Sequence, residues 1–233
     1  MDIIKHFDRT NTANYILYSL KTKEWTDLIN NLSNDIRLCY ITNDELHKLC
    51  TTSNISASEF LEKYILPDDP TIMSGDFGEL LSYFAVIENF GNKGFTLFAP
   101  PKWRWKDSKN KAAPGSDAVM FHVANSKKYT AQDFVVSIES KMKAVKSQEH
   151  RIQTAIDHAA KDKLSRLAKT IIWLEEKHAK DGAEAQRKII ERFKDPSTYG
   201  TFVKHHKAIA IIDKSLETDE TSKAITNPHG VVA

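Results

Sequence analysis

The stretch DFVVSIESKMKA, residues 133–144, joins an apolar run to an acid and a lysine two residues apart. Side chains alternate across a strand. As a strand, the segment puts Val135, Ser137, Glu139 and Lys141 on one side and Val136, Ile138, Ser140 and Met142 on the other. Charges at the exit of an apolar strand are costly unless they serve each other or a metal. A plain ion pair between neighbouring strands is the simpler account of Glu139 and Lys141. The chain carries its own controls in Glu175-Glu176-Lys177 and Asp107-Ser108-Lys109, which have the same spacing. The first falls in a predicted helix and the second in a Pro/Lys-rich loop, so neither couples its charges to a buried strand.

Upstream, PGSDAVMF (residues 114–121) opens a predicted strand, Ala118–Val123, with Asp117 at its head. Two adjacent strands with acids near the same level make a hard, all-oxygen site suited to magnesium. An Asp after Gly115 is equally at home as a turn residue. Further back, GDFGELLSYF (residues 75–84) leads into a predicted helix, Gly78–Phe90, whose Leu80, Leu81, Phe84, Ala85, Val86 and Ile87 form a broad apolar face. Glu79 begins that helix and can reach the same site. A carboxylate in a first helical turn is also favoured by the helix dipole, and Asp76 is placed to cap the helix.

The remaining elements frame these three. Residues 1–70 read as an α+β lead-in: an apolar run Tyr15–Leu20, a helical pattern Trp25–Leu32, a short strand Leu38–Ile41, and helices capped by Thr42 or Asn43 and by Ser56 or Ser58, closed by LPDDP. Phe95–Ala99 predicts a strand stopped by Pro100-Pro101, and Trp103 and Trp105 alternate with basic residues like a hairpin arm. A long helix is expected over Gln148–Lys180, with Ile152, Ala155, Ile156, Ala159, Leu164, Leu167, Ile171 and Leu174 mostly on one face. Gly182 breaks it, a shorter helix to Phe193 precedes Asp195-Pro196, and Lys207–Ile212 reads as a last core strand. These divisions predict an extension over 1–70, a core over 71–216 and a polar, loose tail over 217–233.

Composition bounds the class of protein. The 233 residues are 41% hydrophobic and 27% charged, with 8 Gly and 7 Pro, an ordinary globular profile. Lys plus Arg total 33 against 31 Asp plus Glu, so a net charge of +2 does not itself argue for a polyanionic partner. Local basic runs at 102–111 and 141–169 can still hold phosphates. The two cysteines, Cys39 and Cys50, lack zinc-ligand or redox spacing and fit a reduced, cytoplasmic setting. The start MDIIKHFDRT is no signal peptide, and no apolar run is long enough to span a membrane. Gly-x-Ser-x-Gly, His-Glu-x-x-His and a phosphate-binding P-loop are all missing from the sequence, so any NTP-driven step belongs to a partner.

Lys102, Trp103, Arg104 and Trp105 form a candidate nucleic-acid surface, stacking on bases while the cations hold phosphates, although paired Trp more often fill core. Gln153, with Gln148, His150 and Arg151, is a weaker candidate, its alternative being a solvated helix face. Adjacent His205 and His206 diverge on any regular element and are taken as surface residues.

Glu79 on a helix, Asp117 at a strand and Glu139-Ser140-Lys141 on the next strand resemble, in that order, the PD-(D/E)xK nucleases. GDFGELL, GSDAV and SIESKMKA are closer still to the nuclease-subunit family of Hachiman anti-phage defence systems, HamA, and the likeness covers roughly residues 75–212. The generic proline is replaced here by Gly115-Ser116. The resemblance implies an α/β, restriction-endonuclease-like mixed sheet flanked by helices, with the N-terminal extension added. It implies a Mg²⁺-dependent deoxyribonuclease, with Mn²⁺ as a substitute, in which Asp117, Glu139 and the Ser140 backbone carbonyl bind the ion and Glu79 holds it through water. Lys141 would orient the attacking water and stabilise developing charge. The partners implied are DNA and a helicase subunit that restrains the nuclease, in a heterodimer and with no membrane. The alternative is a catalytically silent nuclease-fold subunit that docks a helicase onto nucleic acid.

Overall fold

The computed structural model describes residues 2–194 and 201–226. It opens with a hairpin of β1 (Phe7–Asn11) and β2 (Ile16–Leu20), followed by α1 (Trp25–Tyr40), α2 (Asn43–Ser53) and α3 (Ala57–Phe60), which runs into a π turn at Leu61–Ile65. The helix α4 (Pro70–Gly91) precedes β3 (Ala118–His122) and β4 (Phe134–Lys143). The helices α5 (Arg151–Lys161), α6 (Leu167–Lys180) and α7 (Glu184–Glu191) then lead to β5 (Val203–Ile212) and a short α8 (Glu217–Thr221). The expected stop at Asp195-Pro196 and the tail beyond Thr226 lie outside the described residues.

The main sheet has the order β3-β4-β5, antiparallel on one side of β4 and parallel on the other. This is the mixed α/β architecture read from the sequence. A parallel β4–β5 pair needs a long crossover, and α5, α6 and α7 supply it. Val136 and Ile138 pack with Leu80, Tyr83, Phe84 and Phe90 of α4, and with Ile3, Leu28 and Leu32 from the first seventy residues, in one continuous core. Val135, on the opposite face of β4, packs with Leu167, Ile171 and Leu174 of α6. Full burial of such side chains contributes roughly 1.5–3 kcal/mol each. Among the described residues no helix is long and apolar enough to cross a membrane.

Several elements differ from expectation. Leu38–Tyr40 is the last turn of α1 rather than a strand; Cys39 and Tyr40 are buried there, and the Tyr40 hydroxyl donates to Asp76 at 2.7 Å. α4 starts at Pro70 under an Asp69 cap, so Asp76 and Glu79 are mid-helix and neither caps nor compensates its dipole. Of the segment Phe95–Ala99, Phe98 alone pairs, by two 2.8 Å bonds with Phe121. Residues 102–105 wind into a 3-10 turn, not a hairpin arm. The expected continuous helix 148–180 is interrupted by a π turn at Asp162–Arg166. Glu217–Thr221 is helical and buries Glu220 completely, where a loose chain was expected.

Candidate active site

Gly78 faces β4: a Cβ there would make van der Waals contact with Met142 Cβ at 3.4 Å. The even-numbered face of β4 meets this helix, and the Ser140 hydroxyl hydrogen-bonds Ser82 at 2.9 Å. Ser140 thus spends its side chain on the helix, as the alternation predicts. The odd-numbered face carries Glu139 and Lys141 toward α5 and the π turn.

Glu139 is 1% exposed, and its carboxylate is surrounded by cationic groups. Lys141 and Arg166 each form an ion pair with it, Lys141 at Oε1 and Arg166 at Oε2. His158 Nδ1 lies 3.2 Å from Oε1. Lys141 also donates to the Ser140 carbonyl at 3.1 Å. The antiparallel register, Ala118 opposite Ile138, brings Asp117 level with this group. The Ser140 amide donates to Asp117 Oδ2 at 2.7 Å.

A turn with φ of +88° at Gly115 delivers Asp117 to the sheet. Only glycine adopts that backbone without cost, and a Cβ there would stand 2.4 Å from Thr170 Oγ1. The same threonine oxygen accepts the Ser116 amide at 2.9 Å, and Ser116 Oγ donates to Asp162 Oδ1 at 3.0 Å. Asp162 Oδ2 is buried without a hydrogen-bond partner.

On the other side of the sheet Glu79 accepts from Lys102 at 3.2 Å, and Lys102 also donates to the Ser116 carbonyl at 3.1 Å. Burial pushes the Glu79 carboxyl up to about 7; Lys102 opposes the shift, while the charges of Asp117 and Asp76 add to it. Asp117 is raised as well, by burial first and then by the charge of Glu139. The acids of this site therefore feel one another. Asp76, Glu79, Asp117, Glu139 and Asp162 exceed by one the fixed cations that touch them, Lys102, Lys106, Lys141 and Arg166. A hard divalent cation suits such a donor set. Among the described residues, however, no three His, Cys, Asp or Glu side chains stand together closely enough to hold a metal ion. The oxygens of Glu139 are taken up by the protein's own cations.

The sequence-derived residues Glu79, Asp117, Glu139 and Lys141 are thus brought to one region, although Glu79 reaches it from the opposite face of the sheet through Lys102. The candidate nucleic-acid residues are not presented together. Lys102 and Trp103 are buried, Trp103 edge-on to Tyr83 at 5.4 Å. Arg104 donates to the Leu38 carbonyl, and the Trp105 indole to Asp181 at 2.8 Å. Gln153 exchanges hydrogen bonds with the backbone of Thr226. His206 is buried, not on the surface, and bonds Ser137 at 2.8 Å; His205 packs against Phe90 and Phe134. Sequence reasoning missed Arg166, His158 and Asp162. The one signal, for Asp162 and Arg166, was the acid–Arg spacing of four in DKLSR, which on a regular helix reads as a surface pair.

A family model described as HamA matches residues 2–230 of the chain. No curated protein matches it.

Proposed function

The chain belongs to the HamA family and is thereby a subunit of the Hachiman defence system, and from that premise we propose that it is the system's metal-dependent, DNA-degrading nuclease, working with a helicase subunit in the cytoplasm. The observation that carries the reading is Glu139: a fully buried acid on a core strand, level with Asp117 and sharing its face with Lys141. A structural ion pair gains nothing from standing near the further acids Asp117 and Glu79, because bringing like charges together away from water is costly.

Asp117, Glu139 and the Ser140 carbonyl would hold Mg²⁺, or Mn²⁺ in its place, with Glu79 contributing through water. The bound ion supplies charge neutralisation at the phosphate and acidifies water. Lys141 sits between Glu139 and the Ser140 carbonyl, where its ammonium orients the attacking water and offsets charge developing on the phosphate. Glu79, its carboxyl raised to about 7, can take up a proton at the oxygen Lys102 leaves free and return it close to physiological pH. Lys102 holds the other oxygen, Oε2. The restriction-endonuclease-like label and the PD-(D/E)xK assignment of the fold are part of the same proposal, supported by the order helix, strand, strand with Glu79, Asp117 and Glu139-x-Lys141 upon them.

A second reading has its own observation. The carboxylate of Glu139 is fully engaged by Lys141, Arg166 and His158, as expected of a silent subunit that docks the helicase onto nucleic acid. The two are separated by incubating plasmid and linear DNA with the purified chain in Mg²⁺ or EDTA, alone and with its helicase partner. The nuclease reading expects metal-dependent degradation that a Glu139→Ala, Lys141→Ala double variant loses. Intact DNA under every condition, wild type and variant alike, would leave the docking role as the conclusion.

A further inference from the structure

The π turn Asp162–Arg166 lies between two α-helices, and such single-turn expansions recur at functional sites. Here it aims Arg166 back into the sheet. Its Nε donates to Asp162 Oδ1 at 2.5 Å, and its Nη2 reaches both the carboxylate of Glu139 and the His158 carbonyl, the latter at 2.9 Å. Arg166 is only partly exposed, its side chain at 27%, and its planar guanidinium cannot shed its charge to relieve the contact.

We propose that Arg166 is a resident competitor for the metal: the guanidinium occupies Glu139 in the free chain, and a divalent cation binds only by displacing it. The inference rests on the nuclease reading of Glu139 and adds a residue which that reading does not contain. Two structural features argue for displacement rather than a permanent pair. Arg166 keeps other acceptors, Asp162 and the His158 carbonyl, so leaving Glu139 does not strand it. Asp162 also has a second buried oxygen with no hydrogen-bond partner, which gives the departing guanidinium an acceptor close at hand. Lys141 touches the same carboxylate at its other oxygen, so Arg166 and Lys141 divide Glu139 between them. Losing Arg166 frees one oxygen and leaves the other held. Arg166 acts here as a positioning residue, setting how readily the site accepts its ion.

The test is isothermal titration of Mn²⁺ into the full-length chain and its variants, with circular dichroism as the check on folding. An opposite charge in contact shifts a carboxylate's affinity for a proton by roughly 1–3 units, so Arg166→Gln should bind Mn²⁺ at least about tenfold more tightly than wild type. Arg166→Lys, which keeps a cation beside Glu139, should stay near wild type; damage to structure alone would disturb both. Arg166→Met replaces the Gln variant if that chain fails to fold. Adding Glu139→Gln should abolish the gain. Equal or weaker binding by Arg166→Gln, with wild type binding the ion, overturns the competition and leaves the nuclease reading standing. Absence of Mn²⁺ binding in every form removes the nuclease reading, and the competition falls with it.

Discussion

Glu139, Lys141 and Lys143 stand in a row on one face of β4, yet the two ends of that row have opposite fates. Lys143 is 3% exposed and pairs with Glu220, which is 0% exposed. Lys143 also donates to the carbonyls of Ser147 and Glu149, while Glu220 accepts the amides of Arg151 and Ile152 and the ammonium of Lys223. Burial alone would raise Glu220, but these hydrogen bonds more than offset it and hold its carboxyl below the ordinary range. At the other end burial is not offset, and Glu79 and Asp117 are held high. One end is a closed ion pair with every valence answered. The other leaves the burial of its acids unanswered, which is costly for folding alone and is what the proposed metal site would need.

Exchanging the two ends by mutation should separate activity from stability. Glu139→Gln should reduce DNA cleavage by at least about a hundredfold, in keeping with loss of a group at the reacting centre. Glu220→Ala strands the Lys143 charge and should cost about 3–5 kcal/mol in urea unfolding, while cleavage by the fraction still folded stays within a few-fold of wild type. If Glu220→Ala abolished cleavage in fully folded protein, the distinction between the ends would collapse.

Their pH dependence should run in opposite directions. The folded pKa of Glu79 lies above its unfolded value, so its contribution is full below the ordinary carboxylate range and is lost as pH rises through about 7. Glu220 lies below its unfolded value, so its contribution is present above that range and lost as pH falls. Melting of the metal-free chain should therefore show Glu79→Gln losing less stability than wild type between roughly pH 5 and pH 8. Glu220→Ala should lose less than wild type on acidification. A Glu79→Gln curve parallel to wild type across neutral pH would remove the electrostatic half of the contrast. The smallest effect is expected from Lys223→Ala. That side chain is 29% exposed, and its removal should cost under about 1 kcal/mol, since Lys143 and the α5 amides keep Glu220 satisfied.

What was legible in the sequence follows the range of the forces involved. β3 and β4 were visible because period-two apolarity is local, and β4's acid and lysine shared a face on that ground alone. α2 was marked by its cap, the Thr42 hydroxyl accepting the Glu45 amide. β5 was foreseen from Lys207 but begins at Val203, where its pairing with Phe134 of β4 starts, and His206 within it bonds Ser137. The Trp103 segment was illegible because alternation with basic residues imitates a strand; burial against Tyr83 decides its shape instead. Of the site, the acids and Lys141 could be named, but Arg166 could not. Its orientation depends on one π turn whose residues Asp162 and Arg166 are bonded to Ser116 and Glu139, both distant in sequence.

The buried Glu220 gives the order of synthesis a bearing on the site. Its bonds reach back 77 residues to Lys143 and 69 to the Arg151 amide at the head of α5. Chains are made from the N-terminus, and early segments settle first. The carboxylates of Glu79, Asp117 and Glu139 leave the ribosome well before residue 220, whereas the helix bearing His158 is pinned at its start only when Glu220 arrives. A nascent chain therefore carries its acids before it carries the anchor for the element that organises them. The site's last support is in place only once residue 220 has reached the head of α5.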